Sequence, residues 1–186
     1  SSLTLYAWRA PQVGLGARFS ALSRESLLLA NNVALLVAMA AVIRAGFTVV
    51  NVNPLYTPHE LEHQLKDSGA NTIIILESLY ATLQAVIGQT QVKHVVVASM
   101  ADVLSPSNAQ VPGGAAQALA NSATTARLPL QKPLGPYNTV GFTDAITLSK
   151  GKTLKPSAAH LNTIAFLQYT GGTTGLSKGA VLTHRN

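Results

Sequence analysis

Three observations predict an α/β fold of alternating βαβ units around a largely parallel sheet. Short apolar runs rich in Val and Ile, at Phe47–Val52, Thr72–Leu76 and His94–Ala98, have the length of buried strands. Segments with helical start and stop signals separate them. Glycines stand where those helices must end, at Gly46 and Gly69.

The elements follow in order. Val33–Ala45 reads as a helix closed by Gly46. Its apolar run, Val33–Ile43, is eleven residues long, opened by Asn31-Asn32 and closed by Arg44. A membrane-spanning helix needs ~20 apolar residues, so a buried helix is expected instead. Thr57-Pro-His-Glu60 has the form of a capping box with proline at the first helical position, starting a helix that runs to about Ser68. Leu79–Ile87 reads as a third helix, Thr143-Asp-Ala-Ile as a short helix start, and Ile164–Tyr169 as a strand. Residues 1–30 show no periodicity and are read as a divergent or artificial start, with the domain beginning at residue 31. The stretch from 99 to about 140, rich in Ala, Ser, Pro, Gly and Asn, is read as a low-complexity surface insertion.

Composition excludes several classes. With 186 residues, 47% hydrophobic and 11% charged, the chain can build a core and is not a disordered tail. The net charge of +6 comes from 13 Lys and Arg set against only seven Asp and Glu. The basic residues are scattered without aromatic interleaving, which argues against a nucleic-acid surface. No cysteine is present, so disulfides and Cys-based metal sites are excluded. His59 and His63 lie four apart on the second helix, a spacing that could hold a metal. Glu60 and Glu62 beside them fit a solvated face better, and no metal ligands are assigned.

The segment most informative about function is Tyr169-Thr-Gly-Gly-Thr-Thr-Gly-Leu-Ser-Lys-Gly179. Glycines let backbone N–H groups approach phosphate oxygens as a concave anion site. Thr170, Thr173, Thr174 and Ser177 add hydroxyl donors, and Lys178 supplies a full positive charge. A Walker loop would lead into a helix at its lysine. Here Gly179 and the apolar run Ala180–Leu182 follow, so a strand–loop–strand phosphate binder is expected. A flexible hairpin with a solvated lysine is the alternative. Three glycines, four hydroxyls and one lysine in nine positions make it the poorer fit. Tyr169 is expected to pack, in the core or against the base of the loop, with contact to substrate as the alternative. His184 and Asn186 are expected to cap a following helix or line the site, the cap being favoured.

Tyr169–Lys178 with its continuation Gly-Ala-Val-Leu-Thr-His-Arg-Asn186 resembles the phosphate-loop signature of the AMP-forming (adenylate-forming) acyl-CoA synthetase superfamily. Ala40–Ala70 and Val92–Met100 resemble the bacterial long-chain fatty-acid–CoA ligases within it, and Asn51–Gln64 is the stretch that narrows the resemblance to that branch. The resemblance runs from Val33 to Asn186.

The resemblance implies part of the large N-terminal domain of an enzyme that activates a long-chain fatty acid with ATP to acyl-AMP and passes it to coenzyme A. Mg²⁺ would be required. Thr170, Gly171, Gly172, Thr173, Thr174, Gly175, Ser177 and Lys178 would hold the ATP phosphates. Asn51, Asn53 and Tyr56 match the branch but have ordinary reasons to stand at a strand end and turn. The family's metal-binding carboxylate, its acyl pocket and its small C-terminal domain with a catalytic lysine lie beyond the phosphate loop. No catalytic residue is therefore assigned here, and the 186-residue piece is expected to be inactive alone. The resemblance further implies a cytoplasmic enzyme with room for peripheral contact at the inner face of the membrane and for a homodimer. An adenylating enzyme for another carboxylic acid, and a truncated non-catalytic nucleotide-binding protein, are the alternative readings.

Overall fold

In the computed structural model, residues 24–28, 33–99, 135–154, 156–170 and 177–186 are described. Their elements are β1 (Arg24–Leu28), α1 (Val33–Arg44), β2 (Thr48–Asn51), α2 (Pro58–Ser68), β3 (Thr72–Leu76), α3 (Tyr80–Val86), β4 (His94–Ala98), β5 (Asn138–Gly141), α4 (Phe142–Ser149), β6 (Ile164–Thr170) and β7 (Lys178–Thr183). The strands form one sheet in the order β5-β4-β3-β1-β2-β6-β7. Every neighbouring pair is parallel except β6–β7. The α/β class with a largely parallel sheet is as the sequence predicts.

The strand alternation sorts the core into two layers. Ile73, Ile75, Val95 and Val97 point to one face, where Leu61 and Leu65 of α2 and Leu83 of α3 cover them. Ile74, Leu76, Val96 and Ala98 point to the other, against Ala38 and Val42 of α1, with Phe142 and Phe166 packed alongside. Helices on both faces are why β3 and β4 are buried at every position and read as unbroken apolar runs.

Helix α2 begins as its sequence dictates. Thr57 N donates to Glu60 Oε2 at 2.8 Å, and Thr57 Oγ1 accepts from Glu60 N at 3.4 Å, closing the capping box. The Thr57 hydroxyl also donates to Glu60 Oε2 at 2.7 Å, and this bond first, then the one from Thr57 N, holds the Glu60 carboxyl below its ordinary pKa. Gly69, at φ 62°, ends the helix in the left-handed conformation that favours glycine.

Three expectations are corrected. Helix α1 is buried along one stripe only, because it lies on a single face of the sheet: Ala38 and Val42 are inside while Leu36 is 66% exposed. Strand β1 lies ahead of residue 31, within the segment read as a divergent start. It runs through the sheet between β2 and β3. Strand β5 closes the stretch read as an insertion and pairs with β4 at the sheet edge. Residues 100–134 of that stretch lie outside the described residues.

Candidate functional site

Strand β6 carries the chain to the carboxyl edge of the sheet, and β7 brings it back antiparallel. Thr170 stands opposite Lys178, and Tyr169 opposite Gly179. The predicted strand–loop–strand arrangement is therefore present, with a paired ladder holding both ends of the loop. Directly opposed residues of an antiparallel pair share a face. The stem thus presents a threonine hydroxyl and a lysine ammonium side by side, both exposed, with half-buried Ser177 just before Lys178. Among the described residues the only carboxylate–amine pair is Glu62 with Lys66, which leaves Lys178 without a carboxylate partner there. Of the eight predicted phosphate contacts, Thr170, Ser177 and Lys178 are described. Gly171, Gly172, Thr173, Thr174 and Gly175 lie outside the described residues.

Beneath the loop, the other face of the stem is locked to α2. Tyr169 is 8% exposed, and its hydroxyl donates to Asp67 Oδ2 at 2.6 Å. Its ring lies across Gly179, where an added Cβ would come within 3.0 Å of Cζ. A methyl group there would require the ring to shift by a few tenths of an ångström. One turn back on α2, His63 Nε2 is 3.3 Å from the carbonyl oxygen of Ser177. A carbonyl only accepts, so this nitrogen carries the hydrogen.

A chain of amides adds a third tie. Gln64, fully buried on α2, donates through Nε2 to the backbone carbonyl of Asn51 at 2.7 Å. Asn51 Nδ2 donates in turn to Gln168 Oε1 of β6 at 3.0 Å. This contact spans the carboxyl ends of β2 and β6, whose outgoing connections part: α2 leads back across β1 to β3, while the loop leads out to β7. In open α/β sheets, ligands bind outside the carboxyl ends of the strands, at points where the connections diverge. Asn51 Oδ1, Gln64 Oε1 and His184 Nε2 are buried with no hydrogen-bond partner among the described residues.

Of the two histidines read as structural or surface residues, His63 is half-buried against Ser177 and His59 is exposed. No group of three His, Asp or Glu that could hold a metal occurs among the described residues. Residues fitting Mg²⁺ are not found there. Tyr169 packs at the base of the loop as expected, but its bond to Asp67 spans 102 positions and has no local signal. Asn186 Oδ1 accepts from Thr183 N and Oγ1, both at 2.8 Å, holding the turn after β7. Asn53 Oδ1 accepts from Leu55 N at 3.0 Å, the turn role expected of it.

A mostly parallel sheet that delivers a Gly/Thr/Ser loop between two antiparallel strands is the fold of the N-terminal domain of adenylate-forming enzymes. The crystal structure of an anthranilate CoA ligase in complex with anthranoyl-AMP superposes with a TM-score of 0.64 at 23% identity, over 92% of this chain and 26% of that one. A family model for AMP-binding enzymes matches residues 22–186, and the chain belongs to that family. It is 42% identical over 178 residues to a long-chain-fatty-acid–CoA ligase of Yersinia pestis, and 41% identical over 176 residues to the ligase of that name from Salmonella typhimurium. Each alignment covers 94% of this chain, which spans 29% of either relative's length. The match to the family begins nine residues before the boundary read from the sequence, in keeping with the placement of β1 in the sheet.

Proposed function

We propose that this chain is part of a long-chain fatty-acid–CoA ligase, and that its loop holds the β- and γ-phosphates of ATP while a fatty-acid carboxylate attacks the α-phosphorus. The observation that carries the reading is the paired stem that sets Thr170 beside Lys178 at the two ends of the glycine loop. Attack forms the carboxylate–phosphorus bond of acyl-AMP and breaks the bond to pyrophosphate, which leaves with the electron pair. Negative charge grows on that leaving group. Lys178 would balance it, and Thr170, Thr173, Thr174, Ser177 and the backbone N–H groups of Gly171, Gly172 and Gly175 would donate to its oxygens. The thiol of coenzyme A then attacks the acyl carbon and AMP departs. The names and identities of the two bacterial relatives support the fatty-acid substrate. ATP and coenzyme A, both water-soluble, suit action in the cytoplasm, at the inner membrane face where fatty acids partition.

The test is exchange of labelled pyrophosphate into ATP by the protein in the form its cells make. Exchange that depends on a long-chain fatty acid, and that falls ~100-fold or more in Lys178→Ala, is expected. Exchange driven only by another carboxylic acid would redirect the reading to a different adenylating enzyme. Nucleotide binding without any exchange would indicate a non-catalytic binder.

A further inference from the structure

The phosphate loop does not rest on its own strands alone. Three contacts of α2 reach its hairpin: half-buried His63 to the carbonyl of Ser177, buried Gln64 through Asn51 to Gln168, and exposed Asp67 to the hydroxyl of Tyr169. His63 and Asp67 are four apart and so lie on one face of the helix. Their partners stand on opposite sides of the loop, Tyr169 just before Thr170 and Ser177 just before Lys178. The helix therefore touches both ends of the segment that must close around an anion. Leu61 and Leu65, each fully buried, fix α2 against β3 and β4, so the contacts come from a rigid part of the core.

We propose that His63 and Asp67 are positioning residues for the phosphate loop, α2 acting as a two-point clamp that sets where Ser177 and Lys178 meet the phosphates. Neither touches the reacting atoms. Tyr169 with its glycine partner fixes the incoming side. His63 fixes the outgoing side through the Ser177 carbonyl, next to Lys178. The inference rests on the phosphate-binding reading above and concerns ATP alone. A displaced loop should weaken ATP binding and leave fatty-acid binding untouched.

The experiment uses the protein in the form its cells make, with two readouts. The first is the apparent KM for ATP and for fatty acid in pyrophosphate exchange. The second is protection by ATP of the tryptic cut after Lys178, which needs no catalysis. His63→Ala is expected to raise KM for ATP ~5–10-fold, with fatty-acid KM within about twofold of the parent, and to reduce protection in parallel. His63→Gln, whose side-chain N–H can reach the Ser177 carbonyl, restores both to within about twofold. His59→Ala on the exposed face changes neither. The variants are compared at matched folded fraction by circular dichroism.

Unchanged KM for ATP in His63→Ala, equal losses for ATP and fatty acid, or Gln doing no better than Ala would each overturn the clamp. If the parent shows protection by ATP but no fatty-acid-dependent exchange, the ligase reading falls. A His63→Ala loss of protection would then still support the clamp. Absence of protection in the parent removes both.

Discussion

The Tyr169 hydroxyl lies 2.6 Å from a carboxylate oxygen of Asp67, joining the strand that delivers the loop to a helix 102 residues earlier. A neutral donor on a carboxylate is among the stronger hydrogen bonds. Tyr169→Phe keeps the ring over Gly179 and deletes only this bond. It should destabilise the protein by about 1–2 kcal/mol, read from the denaturant midpoint at unchanged slope. In the double variant with Asp67→Ala, most of the second loss should vanish; full additivity would mean the two groups do not interact in solution.

Gly179 gives a second prediction. A Cβ there meets the Tyr169 ring at 3.0 Å, and the hydrogen bond from its hydroxyl to Asp67 opposes the shift that would make room. Gly179→Ala is expected to cost about 1–3 kcal/mol, the range for overpacking. The same change made in a Tyr169→Ala background should be close to neutral. Equal costs in the two backgrounds would show that the ring is not what excludes the methyl group.

Gln64 is fully buried and donates to the Asn51 carbonyl. Gln64→Glu replaces that donor with an acceptor and, at neutral pH, a charge. A loss of about 3 kcal/mol or more is expected at pH 7, because two acceptors then face each other away from water. The loss should shrink in acid, where a protonated carboxyl can donate again. A variant as stable as the parent at pH 7 would contradict the contact.

His94 is expected to add a pH dependence just below neutrality. It is buried at the start of β4, and desolvation, helped by the positive charge of Lys93, lowers its pKa from the ordinary 6.5. The folded protein resists protonation that the unfolded chain accepts. The associated stability is fully present above 6.5 and is lost as pH falls through the lowered folded value. Thermal melting from neutral pH downward should show this slope, and His94→Gln should flatten it. A slope that persists in the variant would place its origin elsewhere.

Much of this structure was readable because it depends on local rules. The Thr57–Glu60 box, Gly69 in the left-handed region and the Val/Ile strands each act within a few residues. β1 was not readable: Arg-Glu-Ser-Leu-Leu has no β-branched or aromatic residue, yet it pairs on both sides. β5, four residues of Asn-Thr-Val-Gly, likewise owes its strand form to β4 beside it. At the site, the loop itself was visible as composition. Its supports were not, since His63, Gln64 and Asp67 sit on a polar helix and acquire meaning only when β6 arrives a hundred residues later.

β7 is held to the sheet through its ladder with β6, and pairing one residue out of step would turn each of its side chains to the other face. Any such slip would move Lys178 to the face occupied by Tyr169 and turn its ammonium toward α2 instead of outward with Thr170. It would also bring Lys178 or Ala180 opposite the Tyr169 ring in place of Gly179. The glycine is the position on β7 that the ring can cover, since the neighbouring residues carry a Cβ. A missing methyl group thus works as a key for alignment: it favours the pairing that delivers the loop's positive charge on the side of Thr170.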